Sequence, residues 1–295
     1  MSRHIDDTIW APSDGNVLSR HFGPKPPRVH ARFGAMSHPG LVRTRNEDHY
    51  VVMERHRSRL VLLTNLTEDY LRPSDDVAYL MAVTDGLGGA ACGELASMLA
   101  LRSGWDQASN AIKWTWVITD AEIADLRERV ELVIRRIHED LLAQGRADPE
   151  CAGMGTTLTA AYTVGPEAFI AHVGDSRAYL FRDGMLTRLT RDHTVAEEAL
   201  AAGVEPSKSW YHILTNCLGG TKLSVQVEFH HVRLANGDQL LLCTDGLTHL
   251  VPGEEIADIL MKGASPPETV EALIMKALAR GGHDNVTAIL ARYEM

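Results

Sequence analysis

Cysteine is scarce in this chain, and what there is does not cluster. Cys92, Cys151, Cys217 and Cys243 are the only four in 295 residues, and no two form a C-x-x-C pair. That spacing speaks against a thiolate zinc site or a disulfide framework, and the expectation is four buried free thiols in a reducing compartment. No apolar run approaches the roughly 20 residues that a membrane-spanning helix needs. The opening MSRHIDDTIW has no basic stretch leading into an apolar core, so the expected location is the cytoplasm. Positive charge is also short, with 29 Lys and Arg against 39 Asp and Glu and a formal net charge of −10. A surface of that sign attracts neither nucleic acid nor anionic membrane, so neither is expected as a partner. Tandem repeats, low-complexity tracts and a nucleotide-type G-x-x-x-x-G-K-[ST] loop are absent as well.

What is present is the makings of a large core, with 45% hydrophobic and 23% charged residues. Residues 1–30 stand apart. They hold Pro12, Pro24, Pro26 and Pro27 and no sustained period, which predicts a flexible tail. Strand-like runs follow at Tyr50–Met53, Leu60–Thr64, Tyr79–Thr84, Thr156–Val164, Ala168–Val173, Ala178–Phe181, Val225–Leu234, Gln239–Thr244 and Val286–Tyr293. The Asp183-Gly184 pair between two such runs signals a hairpin, and Asn236-Gly237-Asp238 a second tight connection. Helices are expected at Glu94–Trp105, Glu255–Met261 and Glu268–Ala279. Another spans Ile123, Leu126, Val130, Val133, Ile137 and Leu141, which recur every three or four residues. Strands outnumber helices, so the fold class expected is α+β, with packed antiparallel sheets and helices outside.

Two of the strand-like runs, AVTDGLGG (82–89) and LLCTDGLTHL (241–250), end in the same Thr-Asp-Gly-Leu. A third acidic tip lies in GGHDNVTAIL (281–290), and LVRTRNED (41–48) adds a further cluster. Each Asp-Gly alone reads as a turn. Together they place carboxylates from distant parts of the chain at strand ends, where they would repel one another unless a cation sat between them. Hard oxygen donors of this type suit Mg²⁺ or Mn²⁺, and an Asp shared by two ions would make a two-metal site able to activate water and clamp a phosphoryl oxygen. Arg43, beside them, suits a phosphorylated substrate.

With CGELAS (92–97), GMGTTLTAAYTV (153–164) and AHVGDSRAYLFRDGMLTRLTRDHT (171–194), these segments resemble, in order, the metal-dependent PPM or type 2C serine/threonine phosphatases of bacterial type. The resemblance runs from about residue 31 to 293. It implies one phosphatase domain over 31–295 with a flap at about 195–220. It also implies a central antiparallel β-sandwich flanked by α-helices on both sides, in four layers. Carried over residue by residue, Asp85 would bridge two Mn²⁺ or Mg²⁺ ions and Gly86 would bind through its carbonyl. Asp245 and Asp284 would hold the other side, and Glu47 and Asp48 would bind directly or through water. Arg43 would grip the phosphate, and Asp175 would help hold a third, weaker ion. The implied reaction is direct attack of metal-bound water on phosphoserine or phosphothreonine of a phosphoprotein, opposed in the cell by a serine/threonine protein kinase.

The chain departs from the pattern in its histidines. Leu87 and Ala90 stand where family members carry a proton-donating histidine, which leaves the general acid unassigned, with His49 a remote candidate. His172 stands where asparagine is usual, and Ser209-Trp210-Tyr211-His212 falls in the flap. Two rival readings stay open: a binding module that recognises phosphoproteins without turning them over, and a phosphoesterase acting on small phosphomonoesters.

Overall fold

The computed structural model describes residues 29–58, 60, 62–63, 75–88, 92–111 and 119–295. The expected tail of residues 1–30 lies almost wholly outside the described residues, as does Ala90. Two antiparallel sheets form the body. One runs in the order β1 (His30–His38), β12 (Val286–Glu294), β11 (Gln239–Cys243), β7 (Arg177–Arg182) and β8 (Met185–Arg188). The other runs β10 (Glu228–Arg233), β6 (Glu167–Val173), β5 (Leu158–Val164), β3 (Asp75–Leu87), β4 (Gly155–Thr156) and β9 (Leu218–Gly219), with β2 (Asp48–Ser58) also on β3.

The inner strands are apolar along their whole length because both faces are covered. In β12, Ile289, Ala291 and Tyr293 point into the layer between the sheets, where they meet Met81, Val83, Ile170, Leu240 and Leu242. The alternate residues Val286, Ala288 and Leu290 face outward onto α5 (Gly253–Met261) and α6 (Pro266–Ala279) through Ile256, Leu260, Val270, Leu273 and Ile274. On the far side of the second sheet, α1 (Cys92–Ala111) and α2 (Asp120–Ala147) lay Ala96, Ala100, Ile134, Ile137 and Leu141 over Ala82, Leu158 and Ala171. The result is the four-layer sandwich that the resemblance implied. Two short helices, α3 (Val195–Ala201) and α4 (Asp245–Thr248), complete the described set.

Local chemistry explains most boundaries. Thr119 and Glu122 form a capping box at the start of α2, and Ser265 and Glu268 do the same for α6, which opens on Pro266. Asp183 and Gly184 both take positive φ, 51° and 79°, as the two-residue turn between β7 and β8 requires. Four expectations need correction. The described residues of the run Leu60–Thr64, namely Leu60, Leu62 and Leu63, lie exposed outside any strand, and the other two fall outside the described residues. Strand β1 was not expected, because HARFGAMSH mixes polar and apolar residues without a clean alternation. The run Thr156–Val164 breaks at Thr157, whose side chain is used elsewhere. Finally, Cys92 and Cys151 are joined in a disulfide, while Cys217 and Cys243 remain free. The 59 residues between the partners hid the pairing from any spacing rule. They meet because β3 and β4 pair and bring the start of α1 against the turn before β4.

A crosslink closing a loop of this length stabilises by about 4 kcal/mol in the chain-entropy account, and measured values run about 2–4 kcal/mol. Cys151→Ala should therefore unfold at lower urea than the parent by about that amount without reductant. Equal midpoints would show that the bond contributes nothing.

Candidate metal centre

The sandwich delivers its acidic tips to one end. Asp48 opens β2 and is the direct cross-strand partner of Asp85 near the end of β3. Asp245 is the first residue of α4, just after β11, and Asp284 stands two residues before β12. Because β11 and β12 run antiparallel, with Cys243 opposite Ala288, the end of one and the start of the other face the same way. The glycines following Asp85 and Asp245 serve close approach, since neither has positive φ. A Cβ on Gly86 would sit 2.1 Å from Gly93 O, and one on Gly246 would sit 1.9 Å from Asn285 O. The Gly86 amide donates to Glu47 O at 3.2 Å, which ties the two metal-motif loops together.

Asp48 is 3% exposed. Thr244 and Thr287 each place a hydroxyl 2.8 Å from its Oδ2, while its Oδ1 is buried with no partner. Burial, reinforced by Asp245 and Asp284 and opposed by the two threonines, pushes its carboxyl up to about 7. Asp85 is raised well above the ordinary range by burial and then by Asp48, Asp245, Asp175 and Asp284. Asp245 is raised by burial, with His249 and a hydrogen bond to Asp85 pulling the other way, and its Oδ1 is also buried and unpartnered. Asp175 is raised by burial and by Asp245. Glu47 is raised by burial, with Arg43 opposing.

The backbone of Asp85 is gripped from the GMGTT segment. Thr156 Oγ1 and the Thr157 amide donate to Asp85 O at 2.8 and 2.9 Å, and Asp85 N donates to Thr157 Oγ1 at 2.9 Å. Thr157 Oγ1 in turn lies 2.8 Å from Ser176 Oγ. This use of Thr157 is what splits the expected strand. Asn285 acts as a peg: Nδ2 donates to Pro39 O and Arg45 O, and Oδ1 accepts from Glu47 N at 2.8 Å. Arg43 is half-exposed and rests on Asp284, Nη2 to Oδ2 at 2.9 Å. That hydrogen bond, then the Asp284 charge, raises the guanidinium pKa.

The structure thus brings Glu47, Asp48, Asp85, Gly86, Asp175, Asp245 and Asp284 to one end, with Arg43 at the rim. Arg177 does not pair with Asp175 but forks onto Asp192, Nη2 to Oδ2 at 2.7 Å. His49 Nδ1 lies 2.8 Å from Ser97 Oγ, so its ring is turned to α1. His172 is buried between Thr159 and Arg191 O, a structural position. Thr244 and Thr287 went unnoticed in the sequence. The only signal was that both precede or follow an acidic tip on a buried strand.

An all-oxygen set of buried carboxylates, two of them carrying unpartnered oxygens, fits a hard divalent cation. Removing such groups from water without a counter-charge is costly, so each holds a proton more firmly in the absence of metal.

A family model described as Protein phosphatase 2C matches residues 65–280. The serine/threonine phosphatase stp of Listeria monocytogenes serotype 4b is 31% identical over 271 residues, spanning 90% of this chain and 97% of that protein. The Mycobacterium tuberculosis serine/threonine phosphatase PstP/Ppp superposes with a TM-score of 0.70 at 30% identity, over 90% of this chain and 99% of that one. The catalytic domain of PstP in complex with two manganese ions gives a TM-score of 0.70 at 29% identity, over 91% and 100%.

A carboxyl raised from 3.8 to about 7 in the folded state favours folding only while it can stay protonated. Its contribution is fully present below about pH 4 and is lost as pH rises through about 7. In Asp48→Asn the amide oxygen can still accept from Thr244 and Thr287, and there is no charge to bury. At pH 8 with chelator, this variant should be more stable to urea than the parent, by on the order of 2 kcal/mol. The difference should shrink toward zero as pH falls to about 4. Mn²⁺ should stabilise the parent more than the variant. A less stable variant at pH 8 would contradict the account.

Proposed function

The chain belongs to the protein phosphatase 2C family of serine/threonine phosphatases, and on that premise we propose that it removes phosphate from phosphoserine and phosphothreonine in proteins at a binuclear Mn²⁺ or Mg²⁺ centre. The observation that carries this reading is the cluster of buried carboxylates with unpartnered oxygens beside an exposed guanidinium. Asp85, the Gly86 carbonyl, Asp245 and Asp284 would hold the ions, with Glu47 and Asp48 binding directly or through water. Asp175, which faces Asp85 and Asp245, would help hold a third, weaker ion. When bound, such a pair of ions activates water and neutralises charge on the phosphoryl group.

The chain's own residues supply the rest. Arg43 shares Asp284 with no other cation in this structure's described ion pairs. Turned from Asp284, the guanidinium fork would take two phosphate oxygens and orient the phosphorus. Thr156, Thr157 and Ser176 hold Asp85 in place, which limits reorganisation during the reaction. Leu87 cannot donate a proton and His49 Nδ1 faces Ser97, so water is the donor we assign to the leaving oxygen.

Residues 31–295 would form one phosphatase domain with a flap at about 195–220 and a preceding tail at 1–30. Phosphoproteins would be its substrates, and a serine/threonine kinase its opponent. No described helix is long and apolar enough to cross a membrane. A cytoplasmic site of action is our proposal, and the Cys92–Cys151 bond is the observation that weighs against it, since such bonds are rare there.

Phosphate release from a phosphothreonine peptide, measured with and without Mn²⁺, tests the reading. Release should require Mn²⁺ and collapse in Asp245→Asn. Arg43→Ala should raise KM roughly 10- to 100-fold, the worth of a charged hydrogen bond pair to phosphate. No release from folded, Mn²⁺-loaded protein would leave the phosphoprotein-binding module as the better reading.

A further inference from the structure

Two histidines converge on Asp245, one from its own LLCTDGLTHL segment and one from far away in the chain. His249 caps α4, and its amide donates to Asp245 O at 2.8 Å. That helical turn sets both side chains on one face, with His249 Nδ1 3.2 Å from Asp245 Oδ2. His212 comes from the flap, at the end of the 3₁₀ turn Lys208–His212. Its ring meets that of His249 edge-on, with centroids 4.8 Å apart. The turn is not free to drift. Val195 N donates to Ile213 O at 2.9 Å, Thr194 bridges Leu214, and Thr215 N donates to His193 O at 2.8 Å. One donor atom from each of His212, Asp245 and His249 lies within 4.8 Å of the other two.

We propose that His212, Asp245 and His249 form a cation site for a zinc-class ion, which shares Asp245 with the all-oxygen centre beside it and adds two ring nitrogens. Two imidazoles and one carboxylate favour zinc and its neighbours in the transition series, whereas Mn²⁺ and Mg²⁺ favour oxygen. His212 is exposed, so small side-chain rotations can draw the three donors to coordination distance. The ion would fasten the flap to α4 through His212. It would also hold the Asp245 carboxylate away from the neighbouring centre, so that zinc inhibits. The binding stands on the geometry alone, while the inhibition rests on the binuclear reading proposed above.

The other three-donor cluster, His172, His193 and Glu228, is unsuited to the same use. His193 Nδ1 accepts from Gly174 N and Asn216 Nδ2, both at 3.0 Å, so its Nε2 carries the proton. Among the described residues the ring of His249 meets only Asp245 and His212, both members of the proposed site.

Co²⁺ is the probe of choice, titrated into the full chain after chelator treatment and followed by visible absorption. One equivalent should produce the bands of a nitrogen- and oxygen-ligated ion, and Zn²⁺ should displace it. His212→Ala and His249→Gln should each weaken Co²⁺ binding tenfold or more. In the Mn²⁺-driven peptide assay, both should raise the half-inhibitory Zn²⁺ concentration by a similar factor. Undiminished Co²⁺ affinity in both variants, or thiolate charge-transfer bands pointing to Cys217, would overturn the site. A protein that releases no phosphate but still needs both histidines to bind Co²⁺ would keep the site and lose only the inhibition.

Discussion

Mutual repulsion among carboxylates that the fold forces together is the constraint around which this molecule is organised. Asp48 and Asp85 are direct cross-strand partners, Asp245 and Asp284 raise both pKa values further, and Asp175 adds to that of Asp85. Like charges placed opposite each other weaken a sheet, and a buried one costs more. Each unit of raised pKa corresponds to about 1.4 kcal/mol held against the charged state. The sandwich tolerates this because the tips sit at the ends of strands that are long-paired or thoroughly buried. Eleven residues of β2 pair with β3, and β11 and β12 are covered on both faces. Stability is gained along the strands, and their ends are kept for chemistry.

The polar groups around the tips have a clear division of labour. Threonines hold the carboxylates from below: Thr244 and Thr287 on Asp48, Thr156 and Thr157 on the Asp85 backbone. Farther out, the Asp192 carboxylate accepts from both Arg177 and Arg188 and fixes the segment leading into the flap. Arg182 on Asp238 plays a similar part at the opposite end of the first sheet. Paired, partly buried arginines of this kind stay charged and carry no reactivity, in contrast to Arg43, which is left half in solvent.

Much of this was legible in the sequence, for physical reasons that can be named. Strands buried on both faces announce themselves as unbroken apolar runs, so β3, β5, β6, β11 and β12 could be placed. The amphipathic period revealed α2 and α6. The acidic tips were readable because Asp-Gly after a buried strand is unusual twice over. Strand β1 was hidden because its partner contacts, not its composition, make it a strand: Gly34 is there because Pro266 leaves no space for a Cβ. The disulfide was hidden because only the pairing of β3 with β4 brings its halves together. The threonines under Asp48 were hidden because hydroxyls on buried strands look like ordinary β-formers. His249 was in plain view, four residues after Asp245, yet its meaning depended on a flap residue far away in the chain.

Asn285 joins the segment after β1 to the last strand, accepting from Glu47 and donating to Pro39 and Arg45. The strand that follows it, β12, is inserted between β1 and β11 as an interior strand of its sheet. During synthesis this strand emerges after every other element described. Until it does, β1 has no neighbour in its sheet, the loop bearing Glu47 has no peg, and Asp284 has not arrived. Pairings of such long reach form slowly. The acidic end of the sandwich is therefore assembled last, only after the strand that closes it has left the ribosome.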